Sequence, residues 1–420
     1  MKTPSLLNCL FVSIAAFILS VPSYSADAGE RDNDFMVEYS GTMHPYNFNL
    51  TDSVVPWNED MTPVFINYVA RHGARFLSSE KKIAHLRDIL MEARSEGTLS
   101  EKGAGFLKLI DRVDSVTEGR WGALNALGME EERMLATEMM RTAPGLLGKG
   151  KVKAIATYVP RVVMTMYEFC HQLSVLSSDL EISTSEGHQY DSLLRYFKTD
   201  ADYVEFLKNP DWKREYEHYA TLNIPTSPAA SMFTIGKDDG ELRKLTYEAY
   251  GILQSLPAAG IKAEIVEWFT PSDYRACWET DNLEHYYARS ASRFSDIPLK
   301  SAQPLLESLI ASADTAASWR NEDVAFLRFG HAETVLPLFS LMRLPGCYAP
   351  NAVPGQLASH WIDSDISPLG ANLMMVVLKD RKGETYVSLR LNGKWIAIQD
   401  SKVIEWRKLK EMWQSYMKQS

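Results

Sequence analysis

The chain has 420 residues, 45% of them hydrophobic and 23% charged, and its 54 acidic and 44 basic side chains give a formal net charge of −10. Those values exclude disorder, and the length exceeds what one core usually covers, so two domains or one domain with a large insertion are expected. The negative balance argues against general binding to nucleic acid or an anionic membrane, so an anionic ligand would need a local positive pocket.

At the N-terminus, Lys2 precedes an apolar run at 10–21 that is too short to span a bilayer comfortably. Small residues follow at once, in Ser23-Tyr24-Ser25 and Ala26-Asp27-Ala28. Residues 1–25 therefore read as a secretory signal peptide, which implies an exported protein, periplasmic, cell-surface or extracellular. Beyond Cys9, only Cys170, Cys277 and Cys347 remain, too few and too scattered for a disulfide framework and without zinc-site spacing, so buried free thiols are expected.

Residues 27–60 read as an irregular polar arm. The block 64–70, Val-Phe-Ile-Asn-Tyr-Val-Ala, has the β-branched and aromatic content of a buried strand, and it ends at Arg71-His72-Gly73-Ala74-Arg75. Helical spacing of apolar residues predicts helices over 80–96, 102–116 and 130–147, the last broken near Pro144-Gly145. A strand at 152–157 is followed by a helix at 162–176, with Arg161 at the junction. Residues 190–293 show no parallel-sheet alternation and carry aromatics and charges at helical spacing, so they read as an inserted, mostly helical cap domain between core segments 32–189 and 294–420. A helix over 304–312 leads to a strand at 324–329, which ends at Gly330-His331-Ala332-Glu333. Strands at 373–378, 386–391 and 395–398 follow, the last two joined by the hairpin signal Asn392-Gly393, and a helix over 402–417 closes the chain. The fold class is α/β, with a mainly parallel sheet flanked by helices.

In such sheets ligands bind beyond the carboxyl ends of the strands, and three strand ends here carry chemistry: Arg71, His72 and Arg75; Arg161; and His331 with Glu333. Guanidiniums gathered in one place repel unless an anion neutralises them, and their planar forks suit phosphate oxygens. A histidine among them is held neutral, which leaves a lone pair free for attack and makes His72 a candidate covalent nucleophile. Glu333 is a candidate proton donor, because a carboxyl beside a substrate dianion has its pKa raised. His331 would donate to the transferred group. No motif for bound magnesium or a P-loop occurs, so neither metal nor cofactor is expected.

With these residues in hand, the sequence resembles the histidine acid phosphatases, and within them the multiple inositol polyphosphate phosphatases. Arg71-His72-Gly73-Ala74-Arg75 is similar to that family's nucleophile motif, and His331-Ala332-Glu333 to the His-Ala-Glu form of its proton-donor motif. The run Phe329 to Leu338 and the segment Leu194-Arg195-Tyr196-Phe197 resemble the inositol polyphosphate branch. Two departures stand out. Arg75-Phe76-Leu77 lacks a proline that many members carry, and Leu124-Asn125-Ala126-Leu127-Gly128-Met129-Glu130-Glu131 has Asn and Glu where the family has Thr and Gln.

The resemblance implies an α/β core with a helical domain over the site, a phosphohistidine intermediate and metal-free hydrolysis of phosphate monoesters, with phytate and lower inositol phosphates as substrates. It places Arg71, Arg75, Arg161, His331 and Ala332 around the phosphate, with Arg195 and Lys198 as further candidate substrate contacts. A broad acid phosphatase or phosphotransferase of the same fold is the alternative, and a non-catalytic phosphate-ester binding protein a more distant one. The expected partner is a small polyanionic substrate, with neither nucleic acid nor a stable protein partner.

Overall fold

The computed structural model describes residues 34–318 and 322–420; the expected signal peptide at 1–25 lies outside them. Eight strands form one sheet: β1 (Thr62–Arg71), β2 (Gly150–Ala156), β3 (Leu180–Glu186), β4 (Asp323–Gly330), β5 (Asn372–Lys379), β6 (Thr385–Leu391), β7 (Lys394–Ile396) and β8 (Ile404–Glu405). Their order is β3-β2-β4-β1-β5-β6-β7, with β8 also on β6. The first four run parallel, whereas β5 to β8 pair antiparallel. The sheet is therefore mixed rather than mainly parallel. The reason is local: Asn392 (φ 45°) and Gly393 (φ 83°) close a tight hairpin, and a two-residue link can join only antiparallel strands.

β1 lies inside the sheet and is buried on both faces. Phe65 and Val69 pack with Leu305, Leu309 and Val335 on one side, while Ile66, Tyr68 and Ala70 meet Leu135, Met139, Phe169 and Leu173 on the other. This alternation fixes the register, since a one-residue slip would exchange the two faces. In that register Arg71 pairs with Gly330 of β4. The residues that follow, His72 and His331, thus leave the sheet side by side.

The helical layer is not confined to 190–293. Ile83, Leu86, Leu90, Phe106, Ile110 and Val113, from the Lys81–Glu96 and Glu101–Thr117 helices, share a core with Leu245, Tyr250, Leu253, Phe269 and Tyr274. Other parts of the insertion, including Leu194, Phe197, Trp212 and Tyr287, instead join the core beneath the sheet. Cys170, Cys277 and Cys347 are buried and unpaired, as their spacing suggested. Among the described residues no helix is long and apolar enough to cross a membrane.

Candidate active site

A cavity of about 330 Å³ opens where β1 and β4 end, lined by Arg71, His72, Arg75, Arg161, Ala332 and Glu333. Arg71 is the last residue of β1, and its Nη1 donates to the carbonyl oxygens of Thr42 and Ser367, the latter at 2.7 Å. The His72 Nδ1 lies 3.0 Å from Gly73 O. A carbonyl only accepts, so Nδ1 carries the proton and Nε2 keeps its lone pair. Burial, then Arg161, Arg71, Arg75 and His331, hold the His72 pKa well below its usual value, so the ring stays neutral.

The loop after His72 is clamped from below by the Ala126–Thr142 helix. Glu131 accepts from Ala74 N at 2.7 Å and from Tyr46 N at 2.9 Å, one bond per carboxyl oxygen. Thr165 Oγ1 accepts from Gly73 N at 3.2 Å. A Cβ on Gly73 would sit 2.8 Å from Gly128 O and 3.1 Å from Glu132 Oε1. The glycine is thus required by close backbone packing.

Arg161 occupies the first turn of the Pro160–Leu176 helix. His331 caps the next helix, Ala332–Leu341; its Nε2 is 3.2 Å from Thr157 Oγ1 and its ring lies 5.9 Å from that of His72, at 78°. Burial is the main force lowering the His331 pKa, to about 3. Arg289 is the last residue of the Pro271–Arg289 helix, and its Nη2 is 3.6 Å from Glu333 Oε1. Arg195 lies 4.6 Å over the Tyr158 ring, and its charge acts on both Arg161 and His331.

The Nε atoms of Arg71, Arg75, Arg161 and Arg195 and the Nη1 of Arg289 are all buried without a hydrogen-bond partner among the described residues. Four guanidiniums, those of Arg71, Arg75, Arg161 and Arg289, line the cavity around a neutral imidazole, an arrangement that suits a tetrahedral oxyanion.

The histidine phosphatase superfamily (branch 2) model matches residues 64–392. The chain belongs to that family. It is also 24% identical to human multiple inositol polyphosphate phosphatase 1 over 328 residues, 70% of this chain and 66% of the relative, just under two thirds of the latter's length. In fold it is similar to Bifidobacterium longum multiple inositol polyphosphate phosphatase in complex with inositol hexasulfate, with a TM-score of 0.78 at 16% identity over 89% of this chain and 97% of that one. The D. castellii phytase is similar at a TM-score of 0.68 and 15% identity, over 95% of this chain and 88% of that one.

In this member of the family, Arg71, His72, Arg75, Arg161, Ala332 and Glu333 line one cavity, and His331 lies beside His72. Neither Arg195 nor Lys198 lines the cavity; Arg195 acts on it through its charge on Arg161 and His331, whereas Lys198 is exposed. The protonation of Glu333 before any ligand arrives is set by its neighbours. Burial pushes its pKa up, but Arg289, His331 and Arg71 outweigh burial and bring it to about 2, so the carboxyl is ionised in the unliganded site. Arg289, Glu131 and Thr165 were not foreseen. Glu131 lies in a segment that matched the family only loosely, and Arg289 ends a cap helix in no recognisable motif.

Proposed function

We propose that this histidine phosphatase hydrolyses phosphate monoesters of inositol polyphosphates, phytate and its lower phosphates, through a phosphohistidine on His72. Nε2 forms a bond to phosphorus as the ester P–O bond breaks, and the leaving alkoxide takes a proton from Glu333. Water then attacks the phosphohistidine, Glu333 recovers a proton from it, and inorganic phosphate departs with His72 restored. The arginines hold the equatorial oxygens while charge builds on them.

The observation that carries this reading is the group of arginines, Arg71, Arg75, Arg161 and Arg289, that line one cavity with a histidine whose Nε2 keeps its lone pair. Glu333 enters the reaction protonated because the substrate's phosphates neutralise the cations that keep its proton off. The inositol preference draws support from a cavity larger than one phosphate needs and from the relatives' own names.

Labelled phytate quenched rapidly in denaturant should leave a base-stable, acid-labile phosphoramidate on His72. Full turnover by His72→Ala would refute the mechanism. A kcat/KM for phytate no better than for a simple aryl phosphate would favour a broad acid phosphatase.

A further inference from the structure

The cap helix Pro271–Arg289 carries Asp281, His285 and Arg289 four residues apart, so they stack on one face, and all three line the cavity. The His285 Nδ1 is 2.6 Å from Asp363 Oδ2, with 14% of the His285 side chain exposed and none of Asp363. Asp363 is itself fixed: Trp278 Nε1 donates to its Oδ1 at 3.1 Å, and its backbone N–H donates to Asn282 Oδ1 at 2.9 Å. Asp363 does not line the cavity. With Nδ1 tied to it, the edge of the ring left for the cavity carries Nε2.

We propose that His285, presented by Asp363 as an imidazolium, binds a second phosphate group of the substrate and so selects polyphosphorylated over singly phosphorylated esters. The proposal rests on the phosphatase reading above and names the residue that would confer its substrate class. The groups acting on His285 are Asp281 and Arg289 on its own helix and Asp363 on the Asp363–Ile366 turn, while Glu284, which acts on Asp281, and Arg71 of β1, which feels Asp363, line the same cavity. Tyr247, on the Asp239–Leu253 helix, donates to Asp281 Oδ1 at 3.1 Å and holds that carboxylate aside. Burial and Arg289 act against protonation of His285, but Asp281 and Asp363 prevail and raise its pKa above the usual value. A phosphate bound at Nε2 adds a further negative charge in favour of the imidazolium.

The ligand atoms of Asp281, His285 and Asp363 also lie within 4.8 Å of one another, so a divalent cation is the competing occupant. The short Nδ1 to Asp363 bond already accounts for the closest of these approaches as an ion pair.

The test compares KM for phytate with KM for p-nitrophenyl phosphate across pH. In the wild type, the preference for phytate should decline as pH rises beyond the usual histidine range. His285→Gln should raise KM for phytate about tenfold more than KM for the aryl ester, the scale of one charge-assisted hydrogen bond. Asp363→Asn should move the decline to lower pH, because the carboxylate is what retains the proton. Equal KM changes on both substrates would overturn the proposal, as would one tightly held equivalent of zinc in the purified protein that His285→Gln loses. Should the variants not fold, a wild-type KM ratio independent of pH would overturn it. Wild-type protein inert towards both substrates would instead refute the phosphatase reading itself.

Discussion

Replacing Arg289 with methionine removes the cation that most lowers the Glu333 pKa while keeping the bulk of the side chain. Glu333 sits at about 2 against an ordinary 4.5, and Arg289 heads the forces that bring it down. The pair is 3.6 Å apart, with 35% of the Glu333 side chain and 20% of the Arg289 side chain exposed, so solvent screens part of the attraction. Loss of Arg289 should therefore raise the Glu333 pKa by about one pH unit. The sign follows from the donor role proposed for Glu333: a carboxyl that gives up its proton later stays a competent acid to higher pH. For an alkyl phosphate, whose leaving group needs that proton, the alkaline limb of kcat/KM should move up by about one pH unit. For an aryl phosphate the limb should stay in place, although both profiles fall in height because Arg289 also attracts phosphate. An unmoved alkyl limb, or equal movement for both substrates, would refute the reasoning. Stability provides a second check. A depressed carboxyl contributes stability above its unfolded pKa and loses it as pH falls through the folded value, so Arg289→Met should flatten acid destabilisation between about pH 4.5 and 2.

Other consequences follow from the packing around His72. A Cβ on Gly128 would overlap Ala74 O and lie 2.6 Å from Ala74 N, so Gly128→Ala should cost about 1–3 kcal/mol in urea unfolding and lower kcat by displacing the loop that carries His72. Glu131→Gln sets an amide NH2 against one of two backbone donors, and the same assay should read a loss of about 1–3 kcal/mol. Arg195→Met should raise KM for phytate about tenfold, since the positive charge it adds beside Arg161 and His331 is lost, while Lys198→Met on the exposed surface should leave it within twofold of wild type.

The central strands were readable because Phe65 to Ala70 and Ala325 to Phe329 are apolar but for one residue each, Asn67 and Arg328, and the Asn392-Gly393 hairpin because its dipeptide has a conformational reason. β3 was missed: its Leu-Glu-Ile-Ser-Thr-Ser-Glu sequence sits at the sheet edge, where one partner suffices and polar residues face water. The Ala126–Thr142 helix begins four residues before its apolar periodicity, because Asn125 accepts from Gly128 N at 3.0 Å and caps it. The final helix starts at Trp406 rather than near 402, because Ile404 and Glu405 pair with β6 first. Within the site, the side chains next to strand ends could be placed from sequence, since topology puts strand ends together. Arg289 could not, because a helix contact made across the cavity leaves no local pattern. The neutrality of His72 was argued from neighbouring arginines, yet burial is its larger cause, and burial exists only once the chain has folded.

A protein of net charge −10 sustains this positive centre through the way its arginines are tethered. Elsewhere the pattern is ordinary: Arg87 meets Asp114 at 2.9 Å and Arg133 meets Glu168 at 3.2 Å, each charge offset by a carboxylate. At the site, Arg71 is held by the carbonyls of Thr42 and Ser367 and Arg75 by that of Phe76. Carbonyl oxygens orient a guanidinium fork without cancelling its charge. The cost is visible in the arginines themselves, since burial and mutual repulsion pull Arg71 down to about 9 and Arg75 to about 10. An arriving phosphate relieves that repulsion, and the relief is greatest where its oxygens gain charge during transfer. The tethers therefore convert folding energy into preorganised donors, which is what the proposed transfer at phosphorus would require.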